Sequence, residues 1–123
     1  MVPPFETELE PEAVAALIPR VPPIPVTGGP HERFGAHRTV PVTVLHDSIP
    51  LNALHIALVE ALEAAGATIR DQRHIRDGYR PHATDQRAGR LHPGEHAILT
   101  HLSVVARAPR SLRRVAASVP LRP

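Results

Sequence analysis

Residues 50–65 constrain the fold of this chain more than any other stretch. Leu51, Leu54, Leu58, Leu62 and Ala65 recur at helical spacing, so one face of a helix must find apolar cover while Glu60 and Glu63 face away. Asp47-Ser48 supply a cap, and Pro50 stands in the first turn, where a missing N–H costs nothing. Gly66 follows the last periodic residue and is placed to end the helix. Directly before it, over residues 39–46, Val40, Val42 and Val44 alternate with Pro41, Thr43 and Leu45, the pattern of a strand with one buried face. A strand feeding into an amphipathic helix, with further strand patterns behind it, predicts an α+β fold: mainly antiparallel sheet with helices packed on one face.

The flanking segments fill in this scheme. Residues 1–10 are acidic and carry Pro3-Pro4, which predicts a poorly ordered end or a short edge strand. Pro11 opens a short helix over 12–18, closed by Pro19. The prolines of 21–27 place that run at a sheet edge or outside the sheet, and Gly28-Gly29-Pro30 reads as a turn. Ala67 to Arg70 suits another strand. After a charged loop over 71–78 and a polar loop over 85–94, Ile98, Thr100, Leu102, Val104 and Ala106 alternate with Leu99, His101, Ser103, Val105 and Arg107, which predicts one long strand over 97–107. The tail over 111–118 suits a short basic helix or an edge strand. At 123 residues the chain fits a single domain, 1–123.

Composition narrows the chemistry. Without cysteine there is no disulfide framework, thiol nucleophile or cysteine-held metal. No apolar run approaches the ~20 residues needed to cross a bilayer, and Met1 to Glu6 lacks the basic start and apolar core of a secretion signal, so a soluble, cytoplasmic chain is expected. All fourteen basic residues are arginine. The plain explanation is a GC-rich genome; the functional one is that arginine's planar fork grips phosphate bidentately. Residues 1–12 hold four glutamates and no base, whereas Arg107, Arg110, Arg113, Arg114 and Arg122 form an acid-free basic end.

One stretch combines chemistry-bearing residues. In Tyr79-Arg80-Pro81-His82-Ala83-Thr84, an extended backbone points His82 and Thr84 to the same side, a proton carrier beside a hydroxyl donor. Arg70, Arg73, Arg76, Arg80, Arg87 and Arg90 surround it, so an anion is the natural visitor. His92-Pro93-Gly94-Glu95-His96 reads literally as the inverted zinc-protease signature, but Pro93-Gly94 favours a turn over the helix that chemistry requires. His55 and His101 read as core-edge packing residues, and His31, His46 and His74 as solvated ones. Ser48 and Ser111 lack the context of a nucleophile, and Gly28-Gly29-Pro30 is no phosphate loop.

With strand 39–46, helix 50–65, Arg80-Pro81-His82-Ala83-Thr84 and strand 97–107 in this order, residues 20–108 resemble the second lobe of the two-histidine phosphoesterase superfamily. That group includes the 2',5' RNA ligase-like and cyclic phosphodiesterase proteins. Its mark is His-x-Thr/Ser, often after proline, on a strand behind the lobe's helix. The resemblance implies metal-free, cofactor-free cleavage or ligation of 2',3'-cyclic or 2',5' phosphodiester bonds in RNA or nucleotides, with one histidine as base and another as acid. Carried onto this chain, His82 becomes a proton carrier, Thr84 its phosphate-binding partner, and Arg80 and Tyr79 phosphate contacts.

Such enzymes hold two His-x-Thr motifs, and here the second is open. His37-Arg38-Thr39 satisfies the pattern at the start of the 39–46 strand, with only a helix and a loop between it and His82. Pro41-Val42-Thr43 carries proline where histidine belongs. The other possibilities are a half-site in a family member that binds nucleotide or RNA without catalysis, and a homodimer in which two copies of His82 meet across a twofold axis. With no tryptophan, one tyrosine and two phenylalanines, base-stacking platforms for single strands are nearly excluded.

Overall fold

The structure, a computed structural model, describes residues 1–107 and 113–123; Arg110 and Ser111 lie outside the described residues. In chain order it comprises β1 (Phe5–Glu6), α1 (Pro11–Ala16), β2 (Ile24–Phe34), β3 (Val40–Leu45), α2 (Ile49–Ala64), β4 (Thr68–Ile69) and two short 3-10 turns (Gln72–His74 and Arg76–Gly78). These are followed by β5 (His82–Thr84), β6 (His96–Leu99), β7 (His101–Arg107) and β8 (Arg113–Pro120). All described strand pairs are antiparallel, so the fold is α+β.

Helix α2 has the ends its sequence specifies. Ser48 Oγ accepts a hydrogen bond from the Leu51 N–H at 3.3 Å, satisfying one of the first turn's orphan donors. At the other end Gly66 takes φ +91°, its N–H reaches the Glu63 carbonyl (3.0 Å), and the Ala67 N–H reaches that of Leu62 (2.9 Å). That is a Schellman closure, with Ala67 packed beside Leu62 as its apolar contact. Leu51, Leu54 and Leu58 pack against Ile24 and Val26 of β2 and against Leu121, with half-buried Leu45, Ala97 and Leu99 around them.

The four-stranded sheet runs β5-β3-β2-β6. Contrary to the expectation of an edge run followed by a turn, residues 24–34 form one strand at its centre. The reason is that β2 changes partner midway: Ile24 to Thr27 pair with β6, and Gly28 to Phe34 pair with β3. Pro25 therefore faces a single neighbour, and Pro30 falls in the register shift between Gly28 and His31, so no ladder bond is lost on two sides at once. Backbone crowds the changeover. A Cβ on Gly28 would overlap the His92 carbonyl, and one on Gly29 would come within 2.7 Å of that of Val44.

The long strand expected over 97–107 is broken at Thr100, whose carbonyl accepts from the Leu121 N–H at 2.8 Å. The break switches the alternation. Ala97 and Leu99 face the core before it, Leu102 and Val104 after it, and Ile98 is left 64% exposed. The region beyond Thr100 pairs with β8, so the described part of the tail is a strand. Helix α1 packs on this β7–β8 hairpin, Val14 meeting Leu62, Ala67 and Val104. At the far end β1 pairs with β4, which makes the N-terminal segment an edge strand.

Candidate functional site

Strand register decides what each face of the sheet presents. Ile24, Val26 and Leu45 face α2, and so does their neighbour in register, Gly28. Further along the same face the 85–95 loop takes over from the helix as cover. Thr43, 0% exposed, donates its hydroxyl to the Leu91 carbonyl at 2.6 Å and accepts from His31 Nδ1 at 3.0 Å. The opposite face holds His82 and Thr84, both exposed. On it the register aligns Thr84, Val42 and Glu32 in one row and His82 beside Val44 in the next. Thr27 stands opposite His96 nearby.

His82 and Thr84 are thus side by side on the open face, both exposed, as the extended backbone requires. The His82 Nδ1–H donates to the Arg80 carbonyl at 2.8 Å. That fixes the neutral ring as the Nδ1–H tautomer and leaves Nε2 as the free lone pair. The ring meets Phe34 edge-on, centroids 4.6 Å apart, and the Arg80 guanidinium lies 5.2 Å from the same Phe34 ring while bonding Glu32 at 2.6 Å. The His82 contact reaches from β5 to β2 across β3, and Arg80, just before β5, reaches β2 as well. Val42, in β3 between them, is 0% exposed. The Arg80 partnership holds the Glu32 carboxyl below the usual carboxylate range.

The remaining expected site residues lie elsewhere. Tyr79 points to the α2 face, stacked on His55 at 3.8 Å with its hydroxyl donating to Met1 Sδ at 3.3 Å; burial pushes its phenol up to about 12. Its ring and hydroxyl are thus engaged away from His82. His37 sits in the tight turn joining β2 to β3, between Gly35 (φ +95°) and Arg38 (φ +52°), and Thr39 follows it outside the strand. Both are exposed, and His37 has left the sheet that carries His82.

The arginine surround is less positive than its count suggests. Arg70 pairs with Glu6, Arg73 with Asp71, Arg76 with Glu63, Arg80 with Glu32 and Arg90 with Asp85. Sequence separation hid this, since Glu6 and Glu32 are far from their partners along the chain. His92 to Glu95 forms a turn, the Glu95 N–H reaching the His92 carbonyl at 3.0 Å, so the zinc-signature residues do not share a helix. A groove of about 800 Å³ lies between Val2, Val14, Leu62 and Val104, and its walls contain neither His82 nor Thr84.

Three further residues stand on the face of His82: Thr27, which the sequence did not mark, His96, read there only as part of the zinc-like signature, and His46, read as solvated. Thr27 Oγ1 and His96 Nδ1 are hydrogen-bonded across β2 and β6 at 3.0 Å. His46 continues β3 by one residue, its N–H bonded to the Thr27 carbonyl at 2.9 Å. The signal for His46 was the alternation itself, since 46 follows 42 and 44. For Thr27 and His96 the signal is inter-strand register, which no local pattern carries. In comparisons with known proteins, no family model, curated protein or solved structure matches the chain.

Proposed function

We propose that this protein is a phosphoesterase of the two-histidine type, acting by acid-base chemistry on 2',3'-cyclic or 2',5' phosphodiester bonds in RNA or nucleotides. One observation supports this above the rest. His82 and Thr84 stand together, both exposed, with the His82 Nδ1–H tied to a backbone carbonyl, so that Nε2 is left free for proton transfer and the Thr84 hydroxyl can hold a phosphate oxygen. Thr84 belongs to the phosphate's binding contacts. Arg80 stands on the same side but is held by Glu32, so it stabilises charge only as one member of an ion pair.

The test is hydrolysis of 2',3'-cyclic nucleotides. Wild-type protein should turn them over, and His82→Ala should lose at least about 100-fold while keeping its far-UV circular dichroism and melting temperature, since a positioned acid or base contributes about 10²–10⁴-fold. A wild-type protein without turnover, yet binding phosphate with a steep salt dependence that survives in His82→Ala, would replace catalysis with nucleotide binding.

A further inference from the structure

We infer that the second proton carrier of this site is His46, supplied by the continuation of β3 and not by a second His-x-Thr motif. The inference rests on the proposed phosphoesterase reading and completes it. Val44 stands opposite His82, and the register Gly28 to Leu45 extends by one pair to Thr27 and His46, where the His46 N–H bonds the Thr27 carbonyl. Residue 46 has the parity of 44, so its side chain emerges on the open face with His82. The two histidines occupy diagonal positions on neighbouring strands, which lie about 7–8 Å apart in any antiparallel sheet.

Each ring has its own contact on this face. His82 tilts to Phe34, centroids 4.6 Å apart. His46 lies over Gly29, where an added Cβ would stand 3.0 Å from its Cδ2, so the bare glycine makes room for the ring. In register Val44 stands directly opposite His82 and two residues before His46, an apolar side chain beside both histidines. Beside His46 lies an open recess of about 370 Å³, bordered by Pro25, Thr27, His46, Asp47, Ser48 and Pro50, with room for part of a nucleotide. The charged and titratable neighbours of His46 on this face are Arg80 just before β5, His82 of β5, Glu32 of β2 and His96 of β6, with Asp47 next in the chain and lining the same recess.

For a 2',3'-cyclic phosphate the chemistry balances with one water. The Nε2 of one histidine takes a proton from that water as its oxygen forms a bond to phosphorus. The bond from phosphorus to the departing ribose oxygen breaks opposite it, the electron pair going to that oxygen, which is protonated by the imidazolium of the other histidine. The product is a phosphomonoester. The two histidines have exchanged protonation states, and proton exchange with solvent restores them. An in-line displacement needs base and acid on opposite sides of the phosphorus, and two histidines on diagonal positions of neighbouring strands can approach it from two sides.

The experiment uses the full chain. Imidazole ¹⁵N spectra are recorded while inorganic phosphate is added, and 2',3'-cyclic nucleotide turnover is measured for the wild type, His46→Ala, His46→Gln and His82→Ala. The expected result is that the rings of His82 and His46 shift together with one dissociation constant while that of His37 does not move, and that each His46 variant loses at least about 100-fold in turnover. A shift of His82 without His46, or His46 variants as active as wild type beside an inactive His82→Ala, overturns His46 and leaves the phosphoesterase reading standing. Loss of turnover in His37→Ala with His46→Ala unaffected does the same. No ring shift and no wild-type turnover overturns both.

Discussion

The imidazole of His55 lies flat against the ring of Tyr79, centroids 3.8 Å apart and planes 3° apart. The Arg76 N–H donates to His55 Nε2 at 3.0 Å, so the ring proton is on Nδ1, which donates to the Met1 carbonyl at 2.9 Å. Both ring nitrogens are used by the neutral form, and the residue is 1% exposed. Burial, foremost, holds its pKa below the ordinary 6.5 against the opposing pull of the Met1 carbonyl. A protonated His55 therefore belongs to the unfolded chain before it belongs to the folded one.

The stability consequence has a definite sign. Above the ordinary value of 6.5 both states are neutral at His55 and the group contributes no pH dependence. As pH falls through 6.5 the unfolded state takes up a proton that the folded state refuses, so stability should fall until the lowered folded value is reached, and level off below it. Urea unfolding between pH 8 and 5 checks this. His55→Phe should remove that slope while lowering stability at pH 8, because the Arg76 N–H and Met1 carbonyl lose their partner.

Releasing Arg80 should alter anion binding more than folding. In Glu32→Gln the guanidinium loses its carboxylate and the open face loses a negative charge beside His82. The dissociation constant for inorganic phosphate should drop a few-fold and become more salt-dependent, with little change in melting temperature, as expected for an exposed ion pair. Calorimetric titration at two ionic strengths reads this directly, and unchanged affinity would remove Arg80 from the site.

Two glycines should respond differently to alanine. Gly66→Ala meets no atom within 4 Å and pays only for the left-handed backbone, about 1–2 kcal/mol. Gly28→Ala would drive a methyl into the His92 carbonyl, where the β2–β6 ladder must shift to receive it. Hydrogen exchange should show Gly66→Ala fraying the end of α2, and Gly28→Ala losing protection along residues 24–28 and 95–99.

Leu54→Ala should cost about 2–5 kcal/mol. Leu54 is 2% exposed between Ile24, Val26 and Leu121, and the groups around it come from the sheet and the C-terminal segment, which cannot both follow the lost volume. A lower urea midpoint with unchanged slope identifies this as a packing loss.

Helix α2 and its two caps were legible in the chain because every signal lies within a few residues: a leucine every third or fourth position, Ser48 three residues before the N–H it accepts from, and Gly66 at the closing turn. The His82-Ala83-Thr84 strand was legible for the same reason, extended backbone alone fixing that His82 and Thr84 share a side. What the tertiary structure decided is everything that depends on which strand lies next to which. Pro25 and Pro30 could occupy a central strand only because β2 switches partners between them, and Thr100 breaks a seemingly continuous alternation so that Leu99, not Ile98, enters the core. The five arginines acquired carboxylate partners, Tyr79 turned to His55, His37 went to a turn, and His46 and His96 came to the face of His82. Register is set by contacts between residues distant in sequence, and one residue of shift exchanges the faces of a whole strand. The short motif put His82 and Thr84 on one side of their strand; the sheet decided which other side chains could stand beside them.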